Sequence, residues 1–299
     1  MKRYIIFFGF LLVQLALYSI LLFADGMNKT RVTKSASTQK IKGIIFVSIP
    51  GDSFTMGDEK GDLNPDCRPV HTVTVSSFQM SDAEITNAQY CEYLNMALAR
   101  NDITATNSTV MGITGPFGGQ EYIELSGNYN ADNQCCITYS NNKFSVLPGR
   151  ENWPVVYVTW YGAKAFAEYY GWDLPLEAEW EYACRGGKKY LYGTDDGTIS
   201  SAKANYDAAV GHPVPVKSYP QNPYGLYDMS GNVCEWCGDW FESYSAENVK
   251  SVPGARLGSF RVLRGGGWSG VDSVCRSDHR SYSVPGGRNY AVGFRVVRR

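Results

Sequence analysis

Apolar and polar residues alternate in short runs near the start of the folded region. "GIIFVSIPGDSFTMGDE" predicts a strand, a Pro-Gly turn and a second strand, and "HTVTVSSF" predicts a further half-buried strand in which His71 is an ordinary strand residue. From Thr86 the period changes. Thr86 and Gln89 have the spacing of a capping box, and Cys91, Leu94 and Leu98 recur at helical intervals, so a helix is expected over about 87–99. Ala163, Phe166, Ala167 and Tyr170 lie on one stripe of a second helix that Gly171 stops, and a third helix starts at Pro175 and buries Trp180, Ala183 and Cys184. Between the first two helices, residues 101–152 are rich in Asn, Gly and Ser. They predict an insertion carrying a hairpin at "QCCITYSNNKFSVL".

The run from Tyr4 to Ala24 stands apart: 21 residues without a charge follow Lys2 and Arg3. This is the arrangement of an export signal or a membrane anchor. Leu22-Phe23-Ala24 is a poor small-x-small cleavage site and no nearby Cys could take a lipid, so both the cleaved and the retained form stay open. Residues 1–24 are therefore read as signal peptide or membrane anchor, 25–40 as a polar linker and 41–299 as one folded domain. The expected location is extracytoplasmic, membrane-anchored or at the cell surface, with the membrane contacted through the N-terminal segment.

A net charge of −1 with no block of like charge excludes nucleic acid as the expected partner. Thirty-one glycines and 21 tyrosines with few long periodic segments predict a mixed, loop-rich domain. Eight cysteines, at 67, 91, 135, 136, 184, 234, 237 and 275, would sit where pairing is permitted, but their connectivity is open. Cys234-Glu-Trp-Cys237 is a single C-x-x-C, and the scattered His71, His212 and His279 do not complete a zinc site. Glu177, Glu179 and Glu181 lie near a helix N-terminus, where the dipole favours negative charge. No complementary group is visible beside them, so they are read as structural residues and not as an acid/base pair.

Seven ordered segments carry a family resemblance: "FVSIPGDSFTMGDE", "EITNAQYCEYLN", "PVVYVTWYGAKAF", "LPLEAEWEYACRGG", "YGLYDMSGNVCEWCGDWF", "RVLRGGGW" and "GFRVVR". Over roughly residues 43–298 the chain resembles the formylglycine-generating-enzyme-like, or sulfatase-modifying-factor, domain. The resemblance implies an α+β fold of the C-type-lectin type, with small antiparallel sheets, two or three helices and long loops. Family oxidases hold Cu(I) on two cysteines after the "RGG" turn. Here the first falls on Gly270; the second meets Cys275 without a gap, while alignment on Arg280 places it in a deletion. Copper is not expected, and a formylglycine-generating oxidase is the alternative reading.

The same family includes variable proteins of diversity-generating retroelements, whose randomised codons lie in this last segment. The resemblance makes Arg264, Gly265, Trp268, Cys275, Arg276, Arg280, Pro285, Arg288, Gly293 and Phe294 framework. Ser269, Gly270, Val271, Asp272, Asp278, His279, Ser281, Tyr282, Gly287, Asn289 and Tyr290 are then the ligand-binding positions, facing an unknown protein or surface ligand. Of these, Asp272, Asp278, His279, Tyr282, Asn289 and Tyr290 are expected on one exposed face, with Trp268 and Phe294 as buried anchors. A structural envelope protein without a variable ligand is a third reading. "SGNVCEWCGDW" resembles the family's calcium turn, implying Ser230, Gly231, Val233 and Glu235 as ligands of a structural calcium ion with Asn232 nearby. Cys234 stands there where tryptophan is usual. A second family site would use Asn205 and Tyr206, but its downstream acid is missing. Leu176 replaces a capping Thr, for an expected cost of about 1 kcal/mol.

Overall fold

The computed structural model describes residues 43–247, 249–250 and 257–299. The apolar run 4–24 and the linker 25–40 lie outside the described residues. The strands predicted first are β1 (Phe46–Ile49), β2 (Asp52–Met56), β3 (His71–Val75) and β4 (Phe78–Ser81). Helix α1 (Asn87–Ala99) carries the predicted capping box: Gln89 N donates to Thr86 Oγ1 at 3.3 Å, and Thr86 N donates to Gln89 Oε1 at 2.9 Å. The insertion forms a three-stranded sheet of β5 (Ile103–Ala105), β6 (Thr109–Gly112) and β7 (Glu121–Glu124), followed by the hairpin β8 (Ile137–Ser140) and β9 (Lys143–Val146). Asn141 and Asn142 close that hairpin with φ of 50° and 57°. Asn tolerates this left-handed pair, which matches the twist of the flanking strands.

Helices α2 (Trp160–Tyr169) and α3 (Glu177–Cys184) follow, then β10 (Cys234–Trp240), β11 (Val249–Lys250), β12 (Arg261–Arg264), β13 (Ser281–Ser283), β14 (Val292–Gly293) and β15 (Val297–Arg298). Leu176 gives α3 no side-chain cap, as expected; two other amides of the first turn are satisfied from elsewhere, that of Glu177 by Asp239 of β10 at 2.6 Å and that of Leu176 by Glu179 at 2.8 Å.

The sheets run β1-β4-β15, β13-β12-β10-β14 and β11-β3-β2 beside the insertion's own strands. In the first, Val297 pairs with Met80 and Arg298 with Gln79, so the last described strand completes a sheet begun by the first. Phe294 is fully buried and meets the rings of Phe166 at 5.3 Å and Tyr90 at 6.0 Å. Trp268 is 5% exposed, and both residues are the anchors expected of them. Full burial of such a side chain contributes about 2–3 kcal/mol.

Candidate functional site: the C-terminal segment

After β12 the chain turns through Gly265 and Gly266, with φ of 95° and 66°. A Cβ on Gly265 would lie 3.0 Å from the Trp180 ring, and one on Gly266 2.8 Å from both Cys275 Sγ and the Val274 carbonyl oxygen. The turn therefore requires glycine twice.

Three arginines anchor the chain on either side of this turn. Arg264 is 1% exposed; it donates to Glu181 and to the His279 carbonyl, and its Nε stands 3.5 Å from Glu177. Arg280 grips Glu177 with two hydrogen bonds of 2.7 and 2.8 Å and also donates to the carbonyls of Asp66 and Glu242 at 2.8 and 2.9 Å. Arg276 forks onto Asp278 at 2.8 and 2.7 Å, reaches Asp58 at 2.9 Å and also binds Asp62. Burial alone would raise the Glu181 carboxyl, but Arg185 and Arg264 hold it below the usual carboxylate range. Asp58 is likewise lowered, against its own burial, by the Leu63 and Gly61 amides and by Arg276. Glu177 and Glu181 are thus the buried counter-charges of the segment, a role that the helix dipole did not reveal.

Exposure divides the expected ligand-binding positions. Ser269, Val271, Asp272, Tyr282 and Asn289 are exposed, and Gly270, His279, Ser281 and Tyr290 are half-buried. Two expectations are corrected. Asp278 is 1% exposed because Arg276 binds both its oxygens. Gly287 is no free position either, since a Cβ there would lie 2.4 Å from Ser283 Oγ and 2.9 Å from the Val284 carbonyl oxygen. His279 is pushed down to about 4 by burial and by the Arg264 charge, which leaves the ring neutral. Tyr282 packs on Phe241 and Phe260 with ring centroids 4.3 and 5.1 Å away, whereas Tyr290 stacks on Tyr129 at 4.5 Å and meets Trp268 at 5.5 Å. The six residues expected on one face thus include one core residue and two separate aromatic clusters. Tyr129, from the insertion, is 64% exposed and was not anticipated; no local pattern links it to a residue 161 positions later.

At the Ser230–Glu235 turn the Ser230 and Glu235 side chains are engaged by protein groups. Glu235 Oε1 accepts Arg295 Nη2 at 2.7 Å, and Oε2 accepts both Arg295 Nε and Trp180 Nε1 at 2.7 Å. Ser230 Oγ accepts the Gly193 amide at 2.9 Å and donates to the Cys275 carbonyl at 2.8 Å, while Gly231 N donates to the Gly265 carbonyl at 2.8 Å; Val233 N donates to Glu84 at 3.1 Å. No group of three or more His, Cys, Asp or Glu able to hold a metal ion occurs among the described residues. Sequence reasoning missed Glu84, a fully buried carboxyl that also accepts Asn232 Nδ2 at 2.7 Å. Burial first, then the charges of Asp228 and Glu235, raises it well above the ordinary range. Its one sequence signal is an acid between Ala83 and Ile85 just ahead of the α1 cap.

At Gly270, where the resemblance places the first copper thiolate, a Cβ would lie 2.5 Å from a Val274 methyl. Cys275 is fully buried, and burial pushes its thiol up to about 12. The model of the sulfatase-modifying factor enzyme 1-like domain matches residues 30–299. The chain belongs to this family. This sulfatase-modifying-factor domain is 37% identical over 257 residues to the serine/threonine-protein kinase pkn1 of Chlamydia pneumoniae, an alignment covering 85% of this chain and 38% of that protein. The chain thus spans well under half the length of that relative. It is 34% identical over 285 residues to the formylglycine-generating enzyme of Streptomyces coelicolor, covering 84% of this chain and 88% of the enzyme. Among solved structures, Treponema denticola variable protein 1 superposes with a TM-score of 0.61 at 24% identity, covering 85% of this chain and 94% of that one. That likeness is one of fold, and it agrees with the loop-rich α+β architecture.

Proposed function

We propose that this sulfatase-modifying-factor domain is a ligand-binding display module. Its C-terminal loops form the binding face, an unidentified protein or surface ligand is the partner, and the segment 4–24 carries the domain to an extracytoplasmic membrane surface. The observation that supports this reading most is the division of labour after Arg264. Arg264, Arg276 and Arg280 are held by buried carboxylates of distant elements, while Ser269, Val271, Asp272, Tyr282 and Asn289 between and beyond them are exposed. Residues of the second kind can change without touching the core, as a diversified face requires. The fold shared with a variable protein is consistent with such a scaffold.

Two observations favour a second reading as an oxidase of the formylglycine-generating class: 34% identity to an enzyme of that name and the retained Cys275. Against it stands Gly270, which cannot supply a thiolate, and soft-metal chemistry of this kind needs both sulfurs.

One experiment separates the two readings. A library randomised at Ser269, Val271, Asp272, Tyr282 and Asn289 is displayed and scored for folding and for capture of candidate surface proteins, and the parent, loaded with copper, is incubated with a Cys-x-Pro-x-Arg peptide. The display reading expects most variants to fold, capture to depend on the five residues, and no aldehyde by mass spectrometry. Widespread unfolding, or copper-dependent aldehyde, would sink it.

A further inference from the structure

We propose that a free extended peptide carrying an acidic side chain docks along the outer edge of β2 and adds one strand to the β11-β3-β2 sheet. The site is separate from the display face, since none of the residues lining it follows Arg264.

Among the described residues β2 ends its sheet and pairs only with β3. In an antiparallel ladder, opposite residues alternate between pairs that exchange both backbone hydrogen bonds and pairs that exchange none. The Ser53 amide donates to the Asp52 carboxylate at 2.7 Å, and Ser53 Oγ lies 2.7 Å from Thr74 Oγ1 across the ladder. Ser53 and Thr74 therefore form a pair of the second kind, and so do Thr55 and Thr72 two residues on. Ser53 and Thr55 thus turn their N–H and C=O groups away from β3, in the pattern an added strand requires. Exposed edges are commonly blunted by Lys, Pro or a bulge. The strand Asp52–Met56 contains no Lys or Pro, and its register with β3 runs unbroken.

This edge borders a cleft of about 390 Å³, within the range of roughly 300–1,000 Å³ typical of ligand sites. One wall is the chain from Pro50 to Thr55; the other is the turn after α3, from Gly187 to Lys189, with Tyr224. Phe54, Tyr182 and Tyr224 form a row with ring centroids 5.3 and 5.9 Å apart, and the two tyrosine hydroxyls meet at 3.0 Å. Gly187 permits this wall, since a Cβ there would lie 2.6 Å from Tyr224 Oη. The row gives an apolar side chain of the peptide a surface to cover while the strand edge takes its backbone. Charge selects the acidic residue. Of the acids in the cleft, Asp52 accepts the Ser53 amide and Glu59 faces Lys189 at 3.3 Å, so the exposed Lys188 has no ion-pair partner among the described residues. A second copy is the poorer occupant: its own β2 is flanked by the same wall, and two such edges cannot meet inside one cleft.

The probe is a short capped peptide of alternating threonine and valine with one central glutamate and a fluorescent label. Its binding is followed by anisotropy, and its place by hydrogen exchange of the unmutated protein. The expected result is saturable binding that slows exchange of the Ser53 and Thr55 amides at least about tenfold. Thr55→Pro removes an outward amide and spares the β2–β3 ladder, so it should keep the melting temperature and weaken binding about tenfold, the worth of one hydrogen bond. Lys188→Glu should weaken binding about two- to fivefold, as an exposed ion pair does, and a peptide with lysine in place of the glutamate should recover it. No binding at millimolar peptide, binding that leaves β2 exchange unchanged, undiminished binding to a folded Thr55→Pro protein, or protection of β2 by self-association without peptide would overturn the proposal. Exchange is read on the unmutated protein, so a folding defect in Thr55→Pro cannot obscure the answer.

Discussion

Arg280→Ala is the sharpest test of the division between framework and display positions. Arg280 is 3% exposed, gives two hydrogen bonds to Glu177 and one each to the Asp66 and Glu242 carbonyls, and lies 3.9 Å over the Tyr244 ring. Its removal strands Glu177, 6% exposed, with the more distant Arg264 as its remaining cation. Breaking a buried ion pair from one side costs about 3–5 kcal/mol, a large part of the roughly 5–15 kcal/mol that a domain has in total. The control is Asp272→Ala. Asp272 is exposed and its carboxylate accepts the amide of the adjacent Ser273 at 2.6 Å, so the expected cost is about 0.5 kcal/mol or less. In urea unfolding followed by tryptophan fluorescence, with a slope of about 3 kcal/mol/M for a domain of this size, Arg280→Ala should lower the midpoint by roughly 1 M or more and Asp272→Ala by a small fraction of that. Equal shifts in the two variants would refute the assignment of Arg280 to the framework.

Burial, assisted by the Glu235 charge, raises the Asp228 carboxyl to about 6 against the pull of the Lys217 amide and Arg295. A raised acid stabilises the fold fully below its unfolded pKa of about 4 and loses that contribution as pH rises through about 6. Asp228→Asn should therefore gain in melting temperature relative to the parent between about pH 4 and pH 7; a constant difference would contradict the buried neutral acid. Gly266→Ala, at a positive φ and against Cys275 and Val274, should cost at least about 1–2 kcal/mol in chemical denaturation, and a neutral effect would show that the turn can relax. If the Arg295–Glu235 pair alone balances the Ser230–Glu235 turn, chelation of divalent ions should leave the melting temperature unchanged, and a clear drop would show calcium bound there.

Local signals in the sequence marked the elements whose determinants are themselves local. The Thr86–Gln89 box, the Asn141-Asn142 turn, and the stripe of Ala163, Phe166 and Ala167 each lie within a few residues and behave as their spacing predicts. The site was legible only in part, because its partners are remote. Asp272 and Asp278 look alike in a run of small and charged residues, yet one is exposed and the other is clamped by an arginine that also reaches Asp58, 218 residues away. Glu177 and Glu181 carry a plausible local explanation in the helix dipole, while their ion pairs span 103 and 83 residues. The same distance hides the partner of Glu235, since Arg295 lies 60 residues on.

The pairing of β15 with β4 has a consequence for how new versions of the segment could be sampled. Val297 and Arg298 lie beyond every exposed position of the face, and they complete a sheet whose central strand is near the start of the domain. A frameshift or premature stop anywhere in 269–290 would also remove Arg295 from Glu235 and Phe294 from its place beside Phe166. Such a product lacks the closing strand and should be left to proteolysis. Under the display function proposed above, folding itself would proofread the reading frame, so that only variants translated through to Arg298 in register would be presented.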